Sequence, residues 1–290
     1  IGLGPGSDVF NVQGTSAATN LELGDGDERI YVSSTANFGL ETGTDLLRGH
    51  LHHINGALNI DAGSGRHLLM IGGEASTLDN DDIVITDRPD GAEPVDAQIA
   101  IRGLTGGDDA FGWADLPQGT ITFYTDAGGS FGEEIDLWTG FGADTIFIDG
   151  THLRPAAGTT TLLSTGLGDD HVTVDLDAGE DGPFVLNTQG PYDYLVHVAD
   201  DDTVLGAAST LPLIVFGGQG RDRIETGTAG DVVFGDRGRA LYFDRVITLE
   251  EAATLTGDEL EAMAVAVFGH GGPGDKTAGA AAVMLGFAYS

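Results

Sequence analysis

The stretch 217–236, GGQGRDRIETGTAGDVVFGD, restricts the possible folds of this chain more than any other part of it. It holds two consecutive nine-residue units, 217–225 and 226–234, and the second keeps Gly227, Asp231 and Val233 at the matching places. A third unit begins at Gly235-Asp236 and stops. The pattern is G-G-x-G-x-D-x-U-x, where U is a large apolar residue. Glycines at alternate positions let the backbone turn tightly and aim carbonyl oxygens inward. The Asp adds a carboxylate at the edge of the turn, and the apolar residue after it starts a short strand. One unit alone can neither bury that residue nor fill a calcium shell of roughly six to eight oxygens. Stacking on the next unit, nine residues later, is expected to do both, which couples fold to metal.

The same grammar, G-x-G-x-(D/E/H)-x-U-x-U, recurs in diluted form. Its acidic slot is filled by Asp8, Glu28, Asp144 and Asp170, and once by His67. With Asp222 and Asp231 these slots are separated by 20, 39, 77, 26, 52 and 9 residues, which predicts uneven coils of about 20 to 26 residues. Between the turns, short segments alternate apolar and polar residues. Examples are Leu58-Asn59-Ile60, Ile83-Val84-Ile85, Ile99-Ala100-Ile101, Ile121-Thr122-Phe123 and Ile135-Asp136-Leu137. Leu195-Val196-His197-Val198 reads the same way. Such alternation, bounded by Gly, Asp and Asn, is a strand signal. The expected fold is therefore all-β: a parallel β-solenoid (β-helix or β-roll) over 1–236. Residues 237–290 are expected to form a short helical cap and an apolar tail. Residues 35–55 and 86–97 read as lateral loops. Thr248-Leu249-Glu250-Glu251 and Thr256-Gly257-Asp258-Glu259 match capping boxes, and the second predicts a helix of about 12 residues over the apolar run 260–268.

The nonapeptides resemble the calcium-binding repeats of the RTX (haemolysin-type) family, and phrases such as LNTQGPYDY and GHGGPGDK resemble segments of very large extracellular calcium-binding proteins. The resemblance implies calcium at the Asp222, Asp231 and Asp236 turns, with carbonyls near Gly218 and Gly220 completing the shell. It extends the same expectation to Asp8, Asp27, Asp144 and Asp170. Four residues depart from the pattern: Ala229 stands for a turn glycine, Arg221 and Arg223 flank Asp222, and His67 replaces an acid.

Charge and composition limit the partners. Asp plus Glu is 46 against 12 Lys plus Arg, a net charge of −34, which repels nucleic acid and anionic membranes and calls for cations. There is no cysteine, so disulfides and thiolate zinc sites are excluded. No apolar run reaches the length of about 18 residues that a membrane span needs. These features fit an extracellular, secreted or cell-surface protein, read as a processed product or a repeat of something longer.

Two other chemistries have candidate residues. His50, His52 and His53 lie close enough in sequence to bind a transition metal, though surface histidines explain them as well. Polysaccharide-active β-helix enzymes line carboxylates along one strand face. Asp136, Asp149, Asp175 and Asp177 are candidates for that role, with Trp113, Trp138 and Tyr124 as sugar platforms. No nucleophile or P-loop motif is present. The runs Asp79–Asp82 and Asp200–Asp202, and the segment DLDAGEDG, read as solvated turns. The leading expectation is a structural or adhesive calcium-binding protein. It is expected to self-associate through solenoid ends and the apolar tail around 283–289, with glycans as a further class of partner. The alternative is a polysaccharide lyase, epimerase or hydrolase.

Overall fold

Alternation along the chain becomes alternation between two sheets. The computed structural model describes residues 1–39, 44, 46–88, 98–105, 119–154, 158–189, 199–235, 239–242, 245, 247–248, 251, 254–264 and 266–269. These are nearly all β. An eight-stranded sheet contains β1 (Val9–Val12), β3 (Arg29–Val32), β5 (Gly65–Gly72), β9 (Gly129–Gly140), β11 (Thr161–Gly166), β13 (Phe184–Asn187), β15 (Leu213–Phe216) and β17 (Val232–Phe234), in that order. Every pairing in it is parallel.

A nine-stranded sheet takes the strands in between. They are β2 (Thr19–Glu22), β4 (Leu58–Asp61), β6 (Ile83–Thr86), β7 (Gln98–Arg102), β8 (Ile121–Tyr124), β10 (Thr145–Ile148), β12 (His171–Val174), β14 (Thr203–Leu205) and β16 (Arg223–Glu225). Its order is β16-β14-β12-β10-β6-β7-β8-β4-β2, and only the pairings of β7 with β6 and β8 are antiparallel.

The chain thus crosses from one sheet to the other at nearly every turn. Parallel neighbours in the eight-stranded sheet are 20 residues apart at Val9↔Arg29, 66 at Leu68↔Glu134, 26 at Ile135↔Thr161 and 18 at Ile214↔Val232. The steps are uneven, as expected, but they run from 18 to 66 residues and not from about 20 to 26. The longest one holds the β6–β7–β8 meander.

The period-2 pattern of the strands decides which side chains meet. Ile30, Leu69 and Ile135 sit in one register row, and Leu163, Leu186 and Val215 in another; all face the main core. The outer face of the eight-stranded sheet is also covered near its first strands. There Tyr31, Met70 and Trp138 pack with Ala36 and Leu47. This changes the reading of 35–55 as a lateral loop. The segment lacks strand alternation, yet Leu51 and Ile54 from it join the main core.

After Phe234 the described chain leaves both sheets. β18 (Arg239–Tyr242) pairs antiparallel with β19 (Ala266–Gly269), and a helix, α1, spans Gly257–Met263. The expected helix of about 12 residues is therefore 7 residues long, and the second half of its apolar run is a strand. Val267 and Phe268 prefer extended backbone and override helical continuation. The capping box itself is present: the Thr256 N–H donates to Glu259 Oε2 at 2.8 Å, and the Glu259 N–H donates to Thr256 Oγ1 at 3.3 Å. Thr256→Ala is expected to cost this helix about 1 kcal/mol, seen as faster amide exchange at Glu259 without a change at Ile135. Residues 270–290, which include the apolar tail, lie outside the described residues.

Candidate functional site

The motif turns fall at two different edges of the sheet pair. The turns of Asp8, Glu28 and His67 lead into β1, β3 and β5 of the eight-stranded sheet, whereas those of Asp144, Asp170 and Asp222 lead into β10, β12 and β16 of the nine-stranded sheet. Asp231 leads back into β17. The expected nine-residue stacking of Asp222 on Asp231 is therefore not what the structure has. A nine-residue unit carries the chain only from one sheet to the other. The units that do stack are 20 residues apart at Val204↔Ile224 and 18 apart at Ile214↔Val232. Asp236 lies outside the described residues.

Along the second edge the acids form a column. The Asn80 N–H donates to Asp144 Oδ1 at 3.0 Å, the Asp144 N–H to Asp170 Oδ1 at 2.8 Å, and the Asp170 N–H to Asp202 Oδ1 at 2.9 Å. The Asp202 N–H then donates to Asp222 Oδ1 at 3.2 Å. Asp144, Asp170 and Asp202 are each only 1% exposed. Their Oδ2 atoms have no hydrogen-bond donor.

Asp202 was not legible as a motif acid, because residues 190–198 separate it from the Thr188 that marks the start of its turn. In the column it occupies the same station as Asp170, and the run Asp200–Asp202 is not a solvated turn: only Asp201 faces outward. Burial, with acidic neighbours adding to it, pushes Asp200 up to about 6 and Asp202 up to about 7.

A threonine column runs beside the acids. Thr139 Oγ1 donates to Thr165 O at 2.9 Å, Thr165 Oγ1 to Thr188 O at 3.0 Å, and Thr188 Oγ1 to Gly217 O at 2.8 Å. An outward row repeats the acid-to-amide bond. Asp79 Oδ1 accepts from the Ala143 N–H at 2.9 Å, Asp169 Oδ1 from the Asp201 N–H at 2.9 Å, and Asp201 Oδ1 from the Arg221 N–H at 3.0 Å. Arg221 Nη2 closes on Asp201 Oδ2 at 2.7 Å. This places Arg221, which departs from the nonapeptide pattern, as a partner for an exposed acid.

The first edge ends in a buried pair. Glu28 and His67 are 1% and 0% exposed, and Glu28 Oε2 lies 2.5 Å from His67 Nδ1, which also accepts the Glu28 N–H at 3.3 Å. Burial first, then Asp8, Asp27 and Asp25, push the Glu28 carboxyl up to about 7, and burial pushes the His67 imidazole down. Both shifts favour a neutral acid donating to a neutral ring. Asp27 faces outward, and its Oδ1 accepts the Arg66 N–H of the next turn at 2.9 Å. In DLDAGEDG, Asp181 is 5% exposed and closes its own turn, accepting from the Thr151 N–H at 2.6 Å and the Asp177 N–H at 2.7 Å. That segment is therefore solvated only in part.

The other candidates are dispersed. Asp136 is buried on β9 of one sheet, while Asp149 and Asp175 follow β10 and β12 of the other. Trp138 is 4% exposed beneath Leu47, Tyr124 lies on the opposite sheet, and Trp113 is outside the described residues. The rings of His50 and His52 stack at 4.6 Å, with His53 edge-on to His50 at 4.9 Å. A cleft of about 260 Å³ at the first edge is lined by Glu22, Asp25, Asp61 and Asp126.

Calcium needs roughly six to eight oxygens around one point. The column acids use one carboxyl oxygen each on a backbone amide, as does Asp231, whose Oδ1 accepts the Leu213 N–H at 2.9 Å. The backbone of Gly220 is pressed against Asp200 O, and Gly218 turns at a φ of 82°. Among the described residues, no three His, Asp or Glu side chains meet as a metal ion would require. The column acids Asp144, Asp170 and Asp202 each keep a second carboxyl oxygen, Oδ2, buried with no hydrogen-bond partner. No protein-family model, curated protein or solved structure matches the chain. The likeness to calcium-binding nonapeptides thus rests on the motif residues themselves.

Proposed function

We propose that the protein is an extracellular, structural β-solenoid that assembles end to end into a fibre or adhesive surface layer and carries calcium on its outward acids. The observation behind this reading is the regular crossing of the chain between two sheets whose parallel strands stay in register step after step. Such a stack has two ends. Among the described residues, β1 stands at one end and β16 and β17 at the other with a strand neighbour on one side only, whereas the outer edge of β2 is taken by the first residues, the Glu22 N–H donating to Ile1 O at 2.8 Å and the Leu3 N–H to Glu22 O at 2.9 Å. Unpaired strand edges bond to other chains unless they are covered. Val233, on the last of these strands, is 45% exposed. The apolar tail is proposed to add a strand to a neighbouring subunit.

Calcium enters through charge. A net charge of −34 repels itself in any compact state, and cations relieve that repulsion. The cleft of Glu22, Asp25, Asp61 and Asp126 is the proposed place of first binding, because its acids face one solvent-filled space. Negative-stain microscopy of the purified chain, with calcium and with chelator, tests the assembly. Filaments that depend on calcium and vanish when residues 279–290 are deleted are expected. Monodisperse single particles under both conditions would sink the fibre reading.

A further inference from the structure

We propose that two copies of this chain dock through the end formed by β16 and β17, about a two-fold axis, so that each sheet continues into the partner's as an antiparallel pair. This deepens the end-to-end reading above by naming the joint at one end, and it is tested by dimer formation, which needs no filament. The end is open. Among the described residues no strand pairs with the outer edge of β16 or β17, and β18 pairs with β19 alone. The main core reaches the surface there. Ile224, on β16, packs against it while only partly buried. Val233, whose register partner Val215 is 1% exposed, is itself 45% exposed. The bonds already made decide which backbone groups face outward. The Arg223 N–H donates to Asp202 O at 2.8 Å and the Gly206 N–H to Glu225 O at 2.7 Å, both on the side of β14. Ile224 between them therefore aims its N–H and C=O at the open edge. On β17 the Gly217 N–H donates to Phe234 O at 2.9 Å, on the side of β15, so Val233 aims its own groups outward in the same way.

The two strands fit their own reverse. Arg223-Ile224-Glu225, laid antiparallel on a second copy and centred on Ile224, sets Arg223 opposite the partner's Glu225 and Glu225 opposite the partner's Arg223. The two side chains are 58% and 48% exposed and already pair with each other along the strand. Opposite charges directly across an antiparallel pair stabilise it, and like charges do the reverse. A two-fold axis makes each such contact twice. Val232-Val233-Phe234, centred on Val233, sets only apolar side chains against apolar ones. Ile224 and Val233 then meet their own copies by exchanged N–H···O=C bonds, and the open core of one copy closes that of the other. Charge selects the same end. Residues 217–245 carry five Arg and five acids, so this end is neutral in a chain of net charge −34. A joint between the opposite ends would oppose two copies of residues 1–28, which hold five acids and no Lys or Arg. In a head-to-tail joint β16 would lie on Ile1-Gly2-Leu3, which offers a side-chain charge to neither Arg223 nor Glu225.

The test uses the full chain in excess chelator, where the fibre reading expects no filaments, at about 0.15 M salt. Mass is read by light scattering on a sizing column. The wild type is expected to run as a dimer that dissociates on dilution. Arg223→Glu sets acid against acid twice across the joint, and Glu225→Arg sets base against base twice. Each is expected to weaken the dimer about tenfold or more. Both positions are exposed, so the melting temperature of either variant monomer is expected to stay within about 2 °C of the wild type. The double variant Arg223→Glu/Glu225→Arg, and an equal mixture of the two single variants, are expected to recover the dimer. A wild type that is monomeric at about 0.1 mM, or a dimer that ignores the swaps, overturns the proposal. Filaments in calcium beside a monomer in chelator overturn the dimer and leave the fibre reading standing; a rescued dimer with no filaments does the reverse. Val233→Cys gives a second route, because the chain has no cysteine and every disulfide must join two copies. Facing residues of a hydrogen-bonded antiparallel pair lie about 5.5 Å apart at Cα, within disulfide reach. Oxidation with diamide is expected to give covalent dimers and nothing larger, and a product that stays monomeric overturns the joint.

Discussion

Gly166→Ala is expected to destabilise the protein by about 3 kcal/mol or more. Gly166 ends β11 at a φ of +100°, and a Cβ there would lie 1.7 Å from the O of Gly140, which ends the neighbouring β9. An alanine would have to bear left-handed backbone strain and also push two turns apart. Gly179 is the control. Its φ is +97°, but a Cβ there meets nothing within 4 Å. Gly179→Ala is expected to cost about 1 kcal/mol, the strain alone. Urea midpoints of the two variants separate stacking from strain. Equal losses would show that the turns do not press on one another as described.

Phe123→Ala is expected to cost about 3–5 kcal/mol, the range for removing a large aromatic from a packed core. Phe123 is 1% exposed, and its ring stands edge-on to Phe131 with centroids 5.4 Å apart. It pairs with Ile60 on the parallel side of β8 and with Ile99 on the antiparallel side. The residue therefore joins the regular stack to the meander, and its loss loosens both. Phe123→Leu keeps most of the volume and is expected to cost less than about 1.5 kcal/mol. Chemical denaturation measures both, and an alanine variant within 1 kcal/mol of wild type would contradict the packing.

Much of the fold was legible because half-buried strands write alternation into the sequence. Leu58-Asn59-Ile60 and Ile83-Val84-Ile85 fall in β4 and β6. Strands such as β15, LIVF, were harder to see, because all four residues are buried and no alternation survives. The turn grammar marked where strands begin but not which edge of the sheet pair each turn occupies, since both edges use the same glycines and acids. Asp202 was hidden by the residues inserted before it. The buried state of Glu28 and His67 could not be read from their slot in the motif, because an exposed turn acid and a buried one look alike there. The role of Asp144 and Asp170 depends on which atoms their oxygens meet, and spacing alone does not carry that.

Calcium dependence is the part of the functional reading that one measurement tests most directly. Circular dichroism melts would be recorded in calcium and in excess chelator at matched ionic strength. The account predicts a clear drop in melting temperature with chelator, because the net charge of −34 then repels itself without its cations. Identical spectra and identical melting temperatures in the two conditions would contradict it.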